Sequence, residues 1–244
     1  MSVYMLVLIC TSITFFATVL GSLLVFLIRE MNENIEKICL GLASGIMISA
    51  SIFSLLLPAL EDSSCLSVII SVLLGGFLIL VMDKIFSHKE KLPQKKSMFF
   101  LAVTLHNIPE GMAVGLACAL SYQVNSAVTL ASAVALAIGI AIQNIPEGTA
   151  VSIAMLEQKK TKLQAFLYGV ISGIVEPIAG ILMAVLSHKL ASFMPFFLSL
   201  AAGTMFYVVV DELIPNSKSE KNNSGVLSFM IGFVIMMYLD VMLG

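Results

Sequence analysis

Two apolar stretches decide the fold of this chain: MFFLAVTLHNIPEGMAVGLACALS at residues 98–121 and SAVTLASAVALAIGIAIQNIPEGTAVSIAM at residues 126–155. Both are longer than the roughly 20 residues that a helix needs to cross hydrocarbon. Each carries one copy of a polar motif, HNIPEG or QNIPEG, and the glutamates of the two copies are Glu110 and Glu147. A charged side chain at mid-membrane costs about 2.5 kcal/mol or more. A cation bound between the two motifs would explain both carboxylates.

The composition is that of an integral membrane protein. Of the 244 residues, 59% are hydrophobic and 11% are charged, and the mean hydropathy is +1.04. Soluble domains carry about 25% charged residues. No basic face with interleaved aromatic residues appears, so we expect the lipid bilayer and not a nucleic acid as a partner. The four cysteines are scattered without a C-x-x-C pair, which indicates apolar packing residues.

Charged and Asn/Ser-rich breaks divide the chain into eight predicted membrane-spanning helices. Backbone groups in lipid must be satisfied within the segment, and these runs lack the alternation of barrel strands, so the predicted fold class is all-α. The first run is too long for the apolar core of a signal peptide and is predicted to be the first span. The spans are predicted at 3–28, 38–60, 65–86, 98–121, 126–155, 163–187, 190–214 and 225–243.

Basic residues predict the orientation of the eight spans. Twelve lysines and arginines fall on one side and Lys189 alone falls on the other. Cytoplasmic loops carry the excess of basic residues, so we expect both termini outside and the segment 87–97 in the cytoplasm. The twelve are Arg29, Lys37, Lys84, Lys89, Lys91, Lys95, Lys96, Lys159, Lys160, Lys162, Lys218 and Lys221.

Spans two and seven share a pattern that suggests internal symmetry. Gly45 precedes Pro58 by 13 residues, and Gly203 precedes Pro215 by 12 residues. Because the two spans run in opposite directions, the pattern predicts an inverted repeat of spans 1–3 and 6–8 around the central spans 4–5.

The two motifs lie on antiparallel spans at similar depth, slightly on the cytoplasmic side of the middle. In span four, His106 and Glu110 are four residues apart and share a helix face, and Asn107 lies three residues before the same glutamate. In span five, the same spacing relates Gln143 and Asn144 to Glu147. The prolines within the motifs are expected to loosen each helix about one turn upstream. The glycines that follow the glutamates would allow close helix approach.

A third carboxylate, Glu176, lies in the middle of span six beside a proline. Taken alone, it also fits a protonated carboxyl that joins two helices. With the motifs it completes a mixed oxygen and nitrogen set, which suits a divalent first-row metal such as Zn²⁺, Fe²⁺ or Mn²⁺. Amide ligands are weak, so the set favours release of what it binds. The candidate metal-binding residues are His106, Asn107, Glu110, Gln143, Asn144, Glu147 and Glu176.

Asp211 and Glu212 lie near the cytoplasmic end of span seven. They fit either an exit route for the cation or a simple pair of interfacial carboxylates.

These motifs and the eight predicted spans resemble the ZIP (zinc/iron permease) family over essentially the whole chain. The second motif begins with Gln143, and the segment 87–97 has no His-rich tract, both of which resemble the bacterial GufA-like branch. The resemblance implies one transmembrane domain over residues 1–244 in a bacterial inner or plasma membrane. It also implies an elevator-type mechanism and a homodimer, in which spans 1, 4, 5 and 6 form a transport bundle that moves against spans 2, 3, 7 and 8.

The resemblance implies a binuclear metal centre as well. His106, Glu110, Gln143 and Glu147 would surround one ion. Asn107, Asn144 and Glu176 would surround a second ion together with the two shared glutamates, and Glu212 would belong to the release route.

The expected function is therefore inward transport of a divalent metal, Zn²⁺ first, with Cd²⁺, Fe²⁺ and Mn²⁺ as other candidates. The metal would be the substrate, with no cofactor and no enzyme activity, and the chain has no P-loop to couple ATP. Two alternatives stay open: a passive metal channel, and an intramembrane metal-dependent hydrolase. The hydrolase is disfavoured because the chain has no H-E-x-x-H motif and only His106 within a span.

Overall fold

The computed structural model describes residues 2–27, 33–88, 95–122, 128–219 and 222–243. These residues form helices and no strands, which confirms the predicted fold class. The helices are α1 (Val3–Phe26), α2 (Glu33–Asp62), α3 (Cys65–His88), α4 (Lys95–Leu120), α5 (Leu130–Glu157), α6 (Lys162–Gly173 and Val175–Leu190), α7 (Met194–Ser217) and α8 (Ser224–Leu243).

Seven of the described helices are long and apolar enough to cross a bilayer, and α4 is the exception. Helix α4 has 26 residues, so its length suffices. The His, Asn and Glu of its motif lower its hydropathy. Large apolar side chains such as Leu73 and Phe77 on α3 and Tyr238 on α8 are exposed, as expected of a surface that faces lipid. The chain is a multi-pass membrane protein.

Most predicted spans match a helix within a few residues, and the differences lie at the ends. Helix α2 begins at Glu33, five residues before its predicted start, and α7 runs from Met194 to Ser217 where 190–214 was predicted. Helix α5 begins at Leu130, because Thr129 caps its N-terminus by accepting from the Ser132 amide. Span six is interrupted at Ile174, where a turn separates the two helical segments of α6.

Helices α4 and α5 stay α-helical through Pro109 and Pro146 without a break or a wider turn, so the expected loosening upstream of each proline stays a prediction. The widened turns lie elsewhere, in π-helical segments at Ser51–Leu56 of α2 and Val209–Leu213 of α7. Each segment ends two residues before a proline, Pro58 or Pro215. A wider turn makes room for a proline ring that would otherwise clash with the preceding turn.

Helix packing divides the molecule into two groups. Helix α1 packs on α5, and α4 packs on the second segment of α6. In the other group, α2 packs on α8 and α3 on α7. The contacts of α4 with α7 and of α2 with α5 join the groups. If α1 is exchanged with α6, α2 with α7, α3 with α8 and α4 with α5, the same set of helix contacts results. The packing and the paired π-helical segments favour the inverted repeat, which stays a prediction.

Three contacts bring the connections between helices together at one end of the molecule. Lys37 Nζ donates to the Asn216 carbonyl at 2.7 Å, and Lys162 Nζ donates to the Phe26 carbonyl at 3.4 Å. Asn222 donates to Asn34 at 2.7 Å. These contacts agree with the predicted alternation of spans. Of the basic residues used to orient the chain, Arg29, Lys89, Lys91 and Lys221 lie outside the described residues, as do residues 89–94 of the segment 87–97.

Candidate metal centre

The two motifs face each other across the interface of α4 and α5. His106 Nε2 lies 3.2 Å from Glu147 Oε2, and Gln143 Nε2 donates to Glu110 Oε1 at 2.6 Å. Each contact joins one motif to the other. His106, Glu110 and Glu147 each offer a ligand atom, and these atoms all lie within 4.8 Å of one another. The i, i+4 spacing on two antiparallel helices therefore produces the cluster that the sequence predicts.

Glu176 joins this cluster from α6 because the turn at Ile174 places it at the start of the second segment. Its Oε1 accepts from Asn144 Nδ2 at 2.9 Å and lies 3.4 Å from the Thr18 hydroxyl. Asn107 Nδ2 donates to the Ser172 carbonyl at 3.1 Å, so it also contacts α6. The predicted residues thus form two adjoining halves, one around Glu110 and Glu147 and one around Glu176.

The seven predicted residues are all buried, with exposed fractions of 0% or 1%. Each retains one polar atom with no hydrogen-bond partner among the described residues. Such atoms are rare in folded proteins, because a buried donor or acceptor without a partner costs about 1–3 kcal/mol. The seven atoms are His106 Nδ1, Asn107 Oδ1, Glu110 Oε2, Gln143 Oε1, Asn144 Oδ1, Glu147 Oε1 and Glu176 Oε2.

The charge in this region is unbalanced. Only the imidazole can carry a positive charge among the side chains that contact the three carboxylates, which include His106, Gln143, Asn144, Thr14 and Thr18. Buried charges need a partner of opposite sign or a bound metal. The unpartnered atoms are six oxygens and one imidazole nitrogen, which is a donor set for a divalent first-row cation.

Glycines bring the helices close enough to form the site. A Cβ added to Gly111 on α4 would lie 2.4 Å from the Glu176 carbonyl oxygen on α6. A Cβ added to Gly148 on α5 would lie 2.1 Å from the Thr18 carbonyl oxygen on α1. Backbones can approach this closely only where the side chain is absent. The last residue of each motif thus brings a further helix against the cluster: Gly111 brings α6, and Gly148 brings α1.

The predicted exit residues lie in the π-helical segment of α7 and do not belong to the group of His106, Glu110 and Glu147. Glu212 is half-buried and lines two pockets, one with Asp211 and Tyr207 and one with Glu157 and Asn216. Asp211 is exposed.

The sequence reasoning missed two groups of residues. Thr14 and Thr18 bring α1 to the site, and their signal is a polar stripe along α1 at helical spacing. Ser54 donates to Asp240 at 2.5 Å and so joins α2 to α8. The stripe consists of Thr11, Thr14, Thr18 and Ser22, all fully buried.

Fold and site together define a polytopic helical membrane protein with a buried cation-binding centre. The profile of the ZIP Zinc transporter family matches residues 88–240, more than half of the chain. Zinc transporter ZIPB of Bordetella bronchiseptica is 32% identical over 94% of this chain and 79% of its own length. Zinc transporter GufA of Myxococcus xanthus is 33% identical over 93% of this chain and 95% of its own length. The chain belongs to the ZIP family.

Human zinc transporter ZIP11 is 37% identical over 61% of this chain and 43% of its own length. The expected family is therefore confirmed, including its similarity to GufA. The family and these relatives are described as transporters, which confirms the expectation that the chain is not an enzyme. Zinc is the named substrate of the relatives and not a cofactor.

Proposed function

We propose that this protein transports a divalent metal ion, Zn²⁺ first, across the membrane into the cytoplasm. The observation that carries the proposal is the set of seven buried side chains, each with one polar atom left without a partner. A divalent cation at this point would satisfy those atoms and neutralise the carboxylates. The relatives named as zinc transporters support Zn²⁺ as the cargo, and Cd²⁺, Fe²⁺ and Mn²⁺ are further candidates for the same donors.

The two halves of the site support a binuclear arrangement. His106, Glu110, Gln143 and Glu147 would hold one ion, because their side chains contact one another across α4 and α5. Asn107, Asn144 and Glu176 would hold the second with the shared glutamates. Because the ligands include only one imidazole and several neutral amides, both sites would bind a metal more weakly than a closed Cys/His site does. A carrier requires weaker binding because it must release its cargo.

The two packing groups support a mechanism of alternating access. Helices α1, α4, α5 and α6 hold the site and would move as an elevator-type bundle against α2, α3, α7 and α8. The contacts α4–α7 and α2–α5 are the surfaces along which they would slide. Glu212 would serve in metal release, since Glu157 beside it lies ten residues beyond Glu147, about 15 Å along α5. We place both termini outside a bacterial plasma membrane, with a homodimer as the assembly.

A passive channel is the second candidate function, and the same buried donors would serve it. The two differ in kinetics, because a carrier saturates and turns over slowly. A hydrolase would need a metal-bound water and a general base beside the metal. The described cluster offers one imidazole, and the relatives are transporters.

The test is Zn²⁺ uptake into proteoliposomes by the wild type, Glu110→Gln and Glu147→Gln. Each substitution keeps the side-chain volume and removes one ligand charge. We expect saturable uptake by the wild type and a loss of at least about tenfold in each variant, since neutralising a buried charged ligand costs about 1.4 kcal/mol or more. Glu61→Gln is the control, because Glu61 is exposed at the end of α2. Full uptake by both site variants would refute the proposal, and uptake that does not saturate would favour the channel.

A further inference from the structure

We propose that α1 is a positioning element of the metal site, in which the Thr18 hydroxyl and the Thr14 carbonyl orient Glu176 and Asn144 toward the ion. The inference rests on the proposed function and deepens it. The sequence motifs place the ligands on α4, α5 and α6, and none of them points to α1.

The first observation is the pattern of contacts on the Glu176 carboxylate. Its Oε1 is held by the Asn144 amide at 2.9 Å and by the Thr18 hydroxyl at 3.4 Å. Its Oε2 has no partner among the described residues. Donors on one oxygen fix the carboxylate plane and leave the other oxygen free for a cation. The Thr18 hydroxyl oxygen also lies 3.3 Å from the Thr14 carbonyl, so its one hydrogen has two acceptors within reach.

The second observation concerns the orientation of the Asn144 amide. Its Nδ2 donates to the Thr14 carbonyl at 3.3 Å and to Glu176 Oε1 at 2.9 Å. A side-chain amide has two N–H donors, and these contacts use both. The amide cannot flip without losing both bonds. Asn144 Oδ1, which has no partner among the residues described, is therefore held on the side of the site.

The third observation is the place of α1 in the packing. The motif glycine of α5, Gly148, touches the backbone of Thr18, as the motif glycine of α4, Gly111, touches the backbone of Glu176. Thr18 on α1 thus occupies the position against α5 that Glu176 on α6 occupies against α4. At these matching places α1 supplies a hydroxyl and α6 supplies a carboxylate, and the two groups lie 3.4 Å apart.

The test compares Thr18→Val with Thr18→Ser in equilibrium Zn²⁺ binding and in uptake. Valine keeps the shape of threonine and removes the hydroxyl, whereas serine keeps the hydroxyl. Losing a hydrogen bond to a charged group predicts a rise of roughly tenfold in the Kd and KM for Zn²⁺ with valine, with little change in kcat. Serine should restore wild-type values. Thr11→Val is the matched control, since Thr11 is equally buried and its hydroxyl donates to Val7 of its own helix at 2.8 Å.

A double substitution separates positioning from a general packing role. If Thr18 acts through Glu176, Thr18→Val should have almost no further effect on Kd in a Glu176→Gln background. Equal effects of Thr18→Val in both backgrounds, or a Thr18→Val protein with wild-type Kd and KM, would overturn the inference. Neither of these two results would contradict the proposed function, provided that the wild type transports Zn²⁺ and Glu110→Gln does not.

Discussion

Gly111→Ala tests whether the contact of α4 with α6 sets the geometry of the metal site. The added Cβ would lie 2.4 Å from the Glu176 carbonyl oxygen and 2.6 Å from its Cα. Ordinary van der Waals contact begins at 3.4 Å. Both atoms belong to the backbone and cannot rotate away, so the two helices must separate by about 1 Å near Glu176.

The consequence should be larger for transport than for stability. Overpacking of this kind costs about 1–3 kcal/mol of folding free energy. A displacement of about 1 Å at a binding group can cost about 100-fold in function, because the group no longer reaches its partner. We therefore expect Gly111→Ala to reduce the kcat/KM for Zn²⁺ uptake by about 10- to 100-fold, while the protein still folds and purifies.

The assay is Zn²⁺ uptake in proteoliposomes, with the thermal midpoint measured on the same preparation. Gly76→Ala on α3 is the matched control, since its nearest neighbour would be the Gly203 carbonyl oxygen at 3.7 Å, an ordinary contact. It should leave uptake and midpoint unchanged. Wild-type uptake by Gly111→Ala would show that the close approach of α4 and α6 does not govern the site.

Three further predictions follow from the site and the helix contacts. Gln143→His adds a second imidazole beside Glu110 and should favour Zn²⁺ over Mn²⁺ in competition uptake; an unchanged preference would contradict the role given to Gln143. Acidifying the medium should raise the KM for Zn²⁺, because protons compete with the metal for its ligand atoms, and a KM that stays constant or falls on acidification would contradict this. Ser54→Ala removes the donor to Asp240 and should lower stability by about 1–2 kcal/mol in thermal unfolding, with an unshifted midpoint as the contrary result.

The metal cluster could be predicted from the sequence because its geometry is local. His106 and Glu110 share a helix face by their spacing, and so do Gln143 and Glu147. Because a carboxylate exposed to lipid is costly, we expect the helix faces that carry Glu110 and Glu147 to meet. The structure brings these side chains within hydrogen-bond distance, as expected.

The contribution of α1 could not be predicted in the same way. Thr14 and Thr18 lie in an apolar helix without a carboxylate, and a threonine in a membrane helix commonly bonds to its own backbone. Which helix faces Glu176 depends on tertiary packing, and the close approach of α1 to α5 at Gly148 decides it. The polar stripe on α1 was the available signal.

The positions at which a proline accompanies a wider turn could not be predicted for a related reason. A proline in a membrane helix removes one N–H, but the surrounding packing decides whether the helix widens there. Helices α4 and α5 remain regular at Pro109 and Pro146, whereas α2 and α7 widen before Pro58 and Pro215. Spacing along the chain does not distinguish these two cases.

The most direct test of the proposed metal site is the anomalous diffraction signal of Zn²⁺ in crystals of the protein grown with the metal. We expect a peak among His106, Glu110 and Glu147, and its loss in crystals of Glu110→Gln. A peak elsewhere in the membrane region, with this cluster empty at saturating Zn²⁺, would contradict it.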